Sequence, residues 1–328
     1  MSRIKVFNTP NAKEQEFLNY WDWDLIHHPK FPIPNLSFTH EEQPNHFKKD
    51  LITKLNPNEF NISFFGSGDY HYLCLPLLEL QEKPFYLIMI DNHYDTGNVG
   101  IPTSKFTEKI GLLSRDHVSW GGCGYDCGSW LWPAIKLPNC NGVLHLGANQ
   151  EWPSSLSHFG FPPKIFPEGF RYSYEDRLNG IPYLQKNYNF KYLKNDFRKL
   201  DEYIDAIEPN INIYITIDKD VLHRKELTTD YGQGKMKIKT LYEILQKIID
   251  KRSNNIVGVD VCGEPVIGFN DWDPLMSSKV FSKFTRNKSV KVGDIGTFKY
   301  NQYMRPYLKP HSKVNDKICR LFEKFIKN

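Results

Sequence analysis

The chain has no apolar stretch near the ~18 residues needed to cross a bilayer. Its first residues, MSRIKVFNTPNAKEQEF, lack the apolar run of a secretion signal. A cytoplasmic protein with no membrane partner is expected. Charge of one sign is missing too. Against 42 Lys and Arg stand 38 Asp and Glu, and the +4 excess is too small and too scattered for a nucleic-acid binder. Cysteine is sparse. Cys74, Cys123, Cys127, Cys140, Cys262 and Cys319 are dispersed, as reduced thiols in a cytoplasmic protein would be. Cys123 and Cys127 form a C-x3-C pair, but no second pair at matching spacing makes it a zinc site. There is also no internal repeat and no low-complexity linker. The 328 residues are read as one catalytic-size α/β domain.

What is present is a globular composition, 40% hydrophobic and 24% charged, with a high 14% of aromatics. Short, nearly continuous apolar runs recur at 61–68, 85–91, 142–148, 211–218 and 255–261, as in fully buried parallel strands. Segments 196–207, 239–252 and 314–327 space their apolar residues by three and four, the helical period. Strands alternating with helices point to a parallel sheet covered by helices on both faces. Residues 17–35, 119–133 and 151–195 break that rhythm and are rich in aromatics with Pro or Gly. They are expected to be ordered loops over a site.

Chemistry-bearing residues follow the strands. Asp91, His93 and Asp95 come after the run 85–90, Asp218 and Asp220 end the run 211–217, His71 follows the turn after 61–65, and Glu264 follows 255–261. In a parallel sheet these ends share one edge. Alternate positions of an extended segment face one side, so Asp91, His93 and Asp95 are expected to address one point. Four carboxylates and two imidazoles are too many for one divalent ion and suit two. Oxygen-rich ligation with a few imidazoles favours Mn²⁺, while zinc, iron and nickel stay open on residue types alone. A pair of ions roughly 3.5–4 Å apart activates water for hydrolysis without a Ser or Cys nucleophile. Each motif alone has a structural reading: a strand-end cap, a surface loop, a hydrogen-bonded histidine. Burying several carboxylates side by side without a cation is costly, which favours the joint reading.

These motifs resemble those of the ureohydrolase superfamily, the arginase and agmatinase group. G-S-G-D-Y-H (66–71), D-N-H-Y-D (91–95), T-I-D-K-D-V-L (216–222) and G-V-D-V-C-G-E-P (258–265) stand in the family order, and the resemblance spans roughly residues 60–265. It implies a three-layer α/β/α sandwich with a parallel eight-stranded sheet. It implies one Mn²⁺ on His71, Asp91, Asp95 and Asp218, and a second on Asp91, His93, Asp218 and Asp220. Asp95 would orient the bridging hydroxide, and Glu264 would receive the substrate guanidinium through two hydrogen bonds.

The chain departs from the family pattern in three places. Tyr70 separates Asp69 from His71, and Gly263 precedes Glu264. After D-N-H-Y-D, the stretch T-G-N-V-G-I-P (96–102) has no His and only Asn98 as a polar group suited to substrate. His117 or His145 would have to serve as a proton shuttle, or both are structural. The machinery for guanidine hydrolysis is kept, while the grip on a free amino acid is not. That combination, with the aromatic segments, resembles the peptide arginases, which convert arginine in a ribosomally made precursor peptide to ornithine and urea. The alternatives are hydrolysis of a small guanidine or amide such as agmatine, guanidinobutyrate or an acylpolyamine, and metal-dependent peptide binding without turnover.

Overall fold

Continuous apolar runs form the centre of the sheet. A computed structural model describes residues 2–9, 11–27, 51, 53–56, 59–95, 127–128, 130–148, 185, 188–194, 196–229, 233–265 and 297–327. The strands are β1 (Ile4–Phe7), β2 (Trp23–Ile26), β3 (Asn61–Ser67), β4 (Phe85–Ile90), β5 (Cys140–Leu146), β6 (Phe190–Leu193), β7 (Asn212–Asp218) and β8 (Ile256–Glu264). They pair in the order β2-β1-β3-β8-β7-β4-β5-β6, every pair parallel. All six residues of β4 are buried, as expected of a strand covered on both faces.

Two apolar clusters give the layers. Alternate residues of β4 go to opposite sides: Ile88 and Ile90 join one cluster, Leu87 and Met89 the other. The first cluster packs against α3 (Leu200–Asp205), α4 (Ile238–Arg252) and α5 (Thr297–Leu321), the second against α1 (Cys74–Glu79) and α2 (Leu131–Ile135). In α4 the buried face is Leu241, Ile244, Leu245, Ile248 and Ile249, spaced by three and four. Each such side chain contributes about 2 kcal/mol of burial. The short α6 (Glu323–Lys327) ends the chain. This is the expected three-layer α/β/α sandwich on an eight-stranded parallel sheet.

The differences lie at the edges. Segment 17–35 was expected as loop, yet its described part holds a 3₁₀ turn (Glu16–Tyr20) and β2. Likewise 151–195 ends in β6. From 119–133, Trp130 is fully buried at the foot of α2 rather than lining a groove. The helix expected at 314–327 is the end of the longer α5, interrupted at Phe322. Cys74, Cys140, Cys262 and Cys319 carry free thiols. No helix among the described residues is long and apolar enough to cross a membrane.

Candidate metal centre

The four central strands β3, β8, β7 and β4 all end at one edge, and the ligand candidates sit there. β4 stops at Ile90, so Asp91, His93 and Asp95 lie on the turn beyond it rather than on the strand. Asp95 reaches back because its backbone turns left-handed, with φ at 46°. The turn, not strand alternation, aims these side chains. Asp218 is the last residue of β7 and caps the 3₁₀ turn Lys219–Val221, its Oδ1 accepting from the Asp220 amide at 2.9 Å. His71 rides the 3₁₀ turn Gly68–Leu73 after β3.

The six side chains converge. His71 Nδ1 lies 3.0 Å from Asp95 Oδ2, 3.2 Å from Asp91 Oδ2 and 3.8 Å from Asp218 Oδ2. His93 Nδ1 lies 2.7 Å from Asp220 Oδ2 and 3.7 Å from Asp91 Oδ1. The groups whose ligand atoms all lie within 4.8 Å of one another are His71–Asp91–Asp95, Asp91–His93–Asp220 and His71–Asp218–Cys262. Asp91 belongs to two of them, one on each side of its carboxylate, as a bridging ligand would. Asp218 stands with His71 and Cys262.

The donor set fits divalent cations. His71 Nδ1, Asp91 Oδ2 and Asp220 Oδ2 are buried without a hydrogen bond, and all three are of atom types that can coordinate a cation. Buried polar atoms are rarely left so unless an ion or water completes them. Electrostatics says the same. Burial, and then Asp91, pushes the Asp95 carboxyl up to about 7. Burial with Asp218 raises Asp220, and burial with Asp91 raises Asp218. Burial would lower both imidazoles, but Asp91 and Asp95 outweigh it at His71 and Asp220 outweighs it at His93, so both are raised. Burial would raise Asp91 as well, yet the neighbouring His71 and His93 imidazoles hold it well below the usual carboxylate range. Four carboxylates this close repel unless protons or cations are shared among them.

Outer partners fix the ligands. His71 Nε2 donates to Thr216 Oγ1 at 2.8 Å, and that hydroxyl donates to Asp260 Oδ1 at 2.5 Å. Nδ1 is thereby left facing the carboxylates, where it would offer its lone pair to a bound cation. The Cys262 thiol donates to Asp218 Oδ2 at 3.3 Å, and Trp130 Nε1–H donates to Asp95 Oδ2 at 2.7 Å. None of these four outer residues stood out in the sequence. The structure brings Asp218 opposite Cys262 and Thr216 opposite Asp260 in the register of β7 and β8, a pairing no sequence signal marks.

Glu264 turns elsewhere. It is the last residue of β8 rather than a residue beyond the strand, and it is fully buried. Its Oε1 accepts from Lys219 Nζ, from Gln15 Nε2 at 2.7 Å and from Asn315 Nδ2 at 2.9 Å. Both carboxylate oxygens were expected to face a guanidinium. Three internal donors already saturate Oε1, and Oε2 is the oxygen left without a hydrogen bond. His145 is also buried. Its Nε2 donates to the Asp91 carbonyl at 3.1 Å, and burial pushes it down to about 4, which makes it a neutral structural group. Asn98, His117 and Cys123 lie outside the described residues.

Fold and site together define an α/β/α protein with a buried carboxylate–imidazole cluster at the carboxyl edge of its sheet. Among solved structures it is similar to the arginase of Entamoeba histolytica in complex with L-ornithine, with a TM-score of 0.51 and 13% identity over 97% of each chain. It therefore has the arginase fold. The arginase of Bacillus subtilis aligns over 96% of this chain and 97% of its own, at 12% identity and a TM-score of 0.48. An uncharacterized protein of Thermotoga maritima is 22% identical over 214 residues, 65% of this chain; the match spans 62% of that protein's length. No protein-family model matches the chain.

Proposed function

We propose that the protein is a binuclear manganese hydrolase that cleaves the guanidinium of arginine within a ribosomally made peptide, giving peptidyl ornithine and urea. The observation carrying this reading is the convergence of His71, Asp91, His93, Asp95, Asp218 and Asp220 with buried coordinating atoms that lack hydrogen bonds. His71, Asp91, Asp95 and Asp218 would hold one ion, and Asp91, His93, Asp218 and Asp220 the other. Two such ions supply a water acidic enough to attack at neutral pH. Asp95 takes the proton released as water adds to the guanidinium carbon, and returns it to the side-chain nitrogen as the C–N bond breaks. Glu264 Oε2 accepts one N–H of the guanidinium, and Asn98 contributes a polar contact to the substrate.

A peptide substrate is supported by the stretch 96–102, which lacks the polar residues that would hold a free amino acid, and by the aromatic-rich sequence of segments 17–35, 119–133 and 151–195. The test is mass spectrometry of an arginine-containing peptide after incubation with the protein and Mn²⁺. Loss of CH₂N₂ per modified arginine, with urea released, is expected. Asp91→Ala and Asp218→Ala should abolish it, and full activity in either would remove the metal assignment. Turnover of agmatine with none of the peptide would place the substrate among small guanidines. Tight peptide binding without turnover would make the protein a recognition module.

A further inference from the structure

Trp130 is the side chain that this reading leaves unused. It is fully buried, and its indole N–H donates to Asp95 Oδ2 at 2.7 Å. Its ring lies 4.8 Å from the His71 ring, tilted by 54°. The next amide, Leu131 N–H, donates to the Asp95 carbonyl at 3.1 Å. Asp95 is thus gripped at side chain and backbone by two consecutive residues, thirty-five positions along the chain. That grip coincides with the left-handed backbone of Asp95, a conformation that costs a non-glycine residue and persists where the surroundings impose it.

We infer that Trp130 is a positioning residue of the metal centre, distinguishing the two Asp95 oxygens; this rests on the metal-binding reading above. The indole nitrogen only donates. One lone pair of Oδ2 is therefore taken up, and the rest of that oxygen faces His71 Nδ1, 3.0 Å away. Oδ2 is the oxygen placed to ligate beside His71. Oδ1 receives no hydrogen bond from the described residues, so the indole's grip falls on Oδ2 alone. The same ring packs on His71, so one side chain sets two neighbouring ligands.

W130F keeps an aromatic ring and removes the N–H. Equilibrium dialysis against Mn²⁺ gives the dissociation constants of wild type and variant, and thermal unfolding in EDTA follows the metal-free fold. Loss of an outer hydrogen-bond partner is expected to weaken Mn²⁺ binding by about 10–100-fold. A side chain that merely fills space would lower metal-free stability and leave Mn²⁺ affinity unchanged, and that result overturns the inference. Wild type that takes up no Mn²⁺ overturns the metal reading itself and this inference with it. If W130F does not fold, wild type carrying ¹⁵N-labelled indoles serves instead. An exchange-protected indole N–H should broaden beyond detection on addition of Mn²⁺, whereas all seven tryptophan resonances staying sharp overturns the assignment.

Discussion

Asp91 links the two halves of the carboxylate–imidazole cluster, and the residue beneath it shows how tightly that position is held. His145 Nε2 bonds the Asp91 carbonyl, and the imidazole packs edge-on to Tyr94. Burial holds His145 at about 4, against 6.5 for an ordinary histidine. Between those values the unfolded chain binds a proton that the folded chain refuses. His145 therefore contributes stability that is complete above about pH 6.5 and is lost as pH falls through 4, about 3 kcal/mol in all. Asp260 works in the opposite direction. Burial raises its carboxyl to about 6, so its contribution is present at low pH and lost as pH rises through 6. The two offset one another in the wild type, and only a variant separates them. In EDTA, H145Q should lose less stability than wild type between pH 7 and pH 4, by up to about 3 kcal/mol in urea unfolding. Parallel curves for the two proteins would show that another group governs the acid limb.

At the scale of the element, the end of β8 decides where Asp218 and Glu264 point. Gly263 adopts a φ of 97°, and a Cβ there would meet Asp218 Oδ1 at 2.5 Å and the Lys219 amide nitrogen at 2.8 Å. Neither neighbour can withdraw without moving a ligand or the backbone between two ligands. Gly263→Ala is expected to cost at least about 1–2 kcal/mol for the left-handed backbone alone. It should weaken Mn²⁺ binding as well, because Asp218 must shift. Urea unfolding and metal dialysis read the two effects separately, and a variant unchanged in both would contradict this geometry. The same strand end shows what the sequence could and could not reveal. β3, β4, β5, β7 and β8 were legible because continuous apolar runs have one stable use, a strand covered on both faces. β1, β2 and β6 are four residues each, too short for periodicity to register, and β2 is mostly half-buried. The ligand residues were legible as types and spacings. Their aim was not, since it depends on the left-handed Asp95 and the bend at Gly263. Trp130, Thr216, Asp260 and Cys262 were invisible because each acts through a hydrogen bond to a distant residue.

At the scale of the whole molecule, Lys219 ties the chain's ends to the site. It stands between Asp218 and Asp220, fully buried, with its ammonium on Glu264 and on Asn315 Oδ1 at 3.0 Å. Asn315 belongs to α5 and bonds Gln15 Oε1 at 2.7 Å. Four segments, the N-terminal region, the ends of β7 and β8, and α5, thus meet on one carboxylate oxygen. Removing one member of a buried ion pair leaves the other charge uncompensated, typically at 3–5 kcal/mol. Lys219→Met should therefore destabilise by about that much, and Glu264→Gln by a similar amount. Because the larger part of each loss is the stranded partner, the double variant should fall well short of the sum. Urea unfolding of the four proteins at one pH closes the cycle. Strict additivity would mean that Lys219 and Glu264 do not form a pair in solution. Coupling would mean that the Glu264 carboxylate is held in place by its buried pairing with Lys219. If the proposed function holds, Lys219→Met should raise KM for the peptide more than it lowers kcat, because it disturbs Glu264 while keeping the six candidate metal ligands.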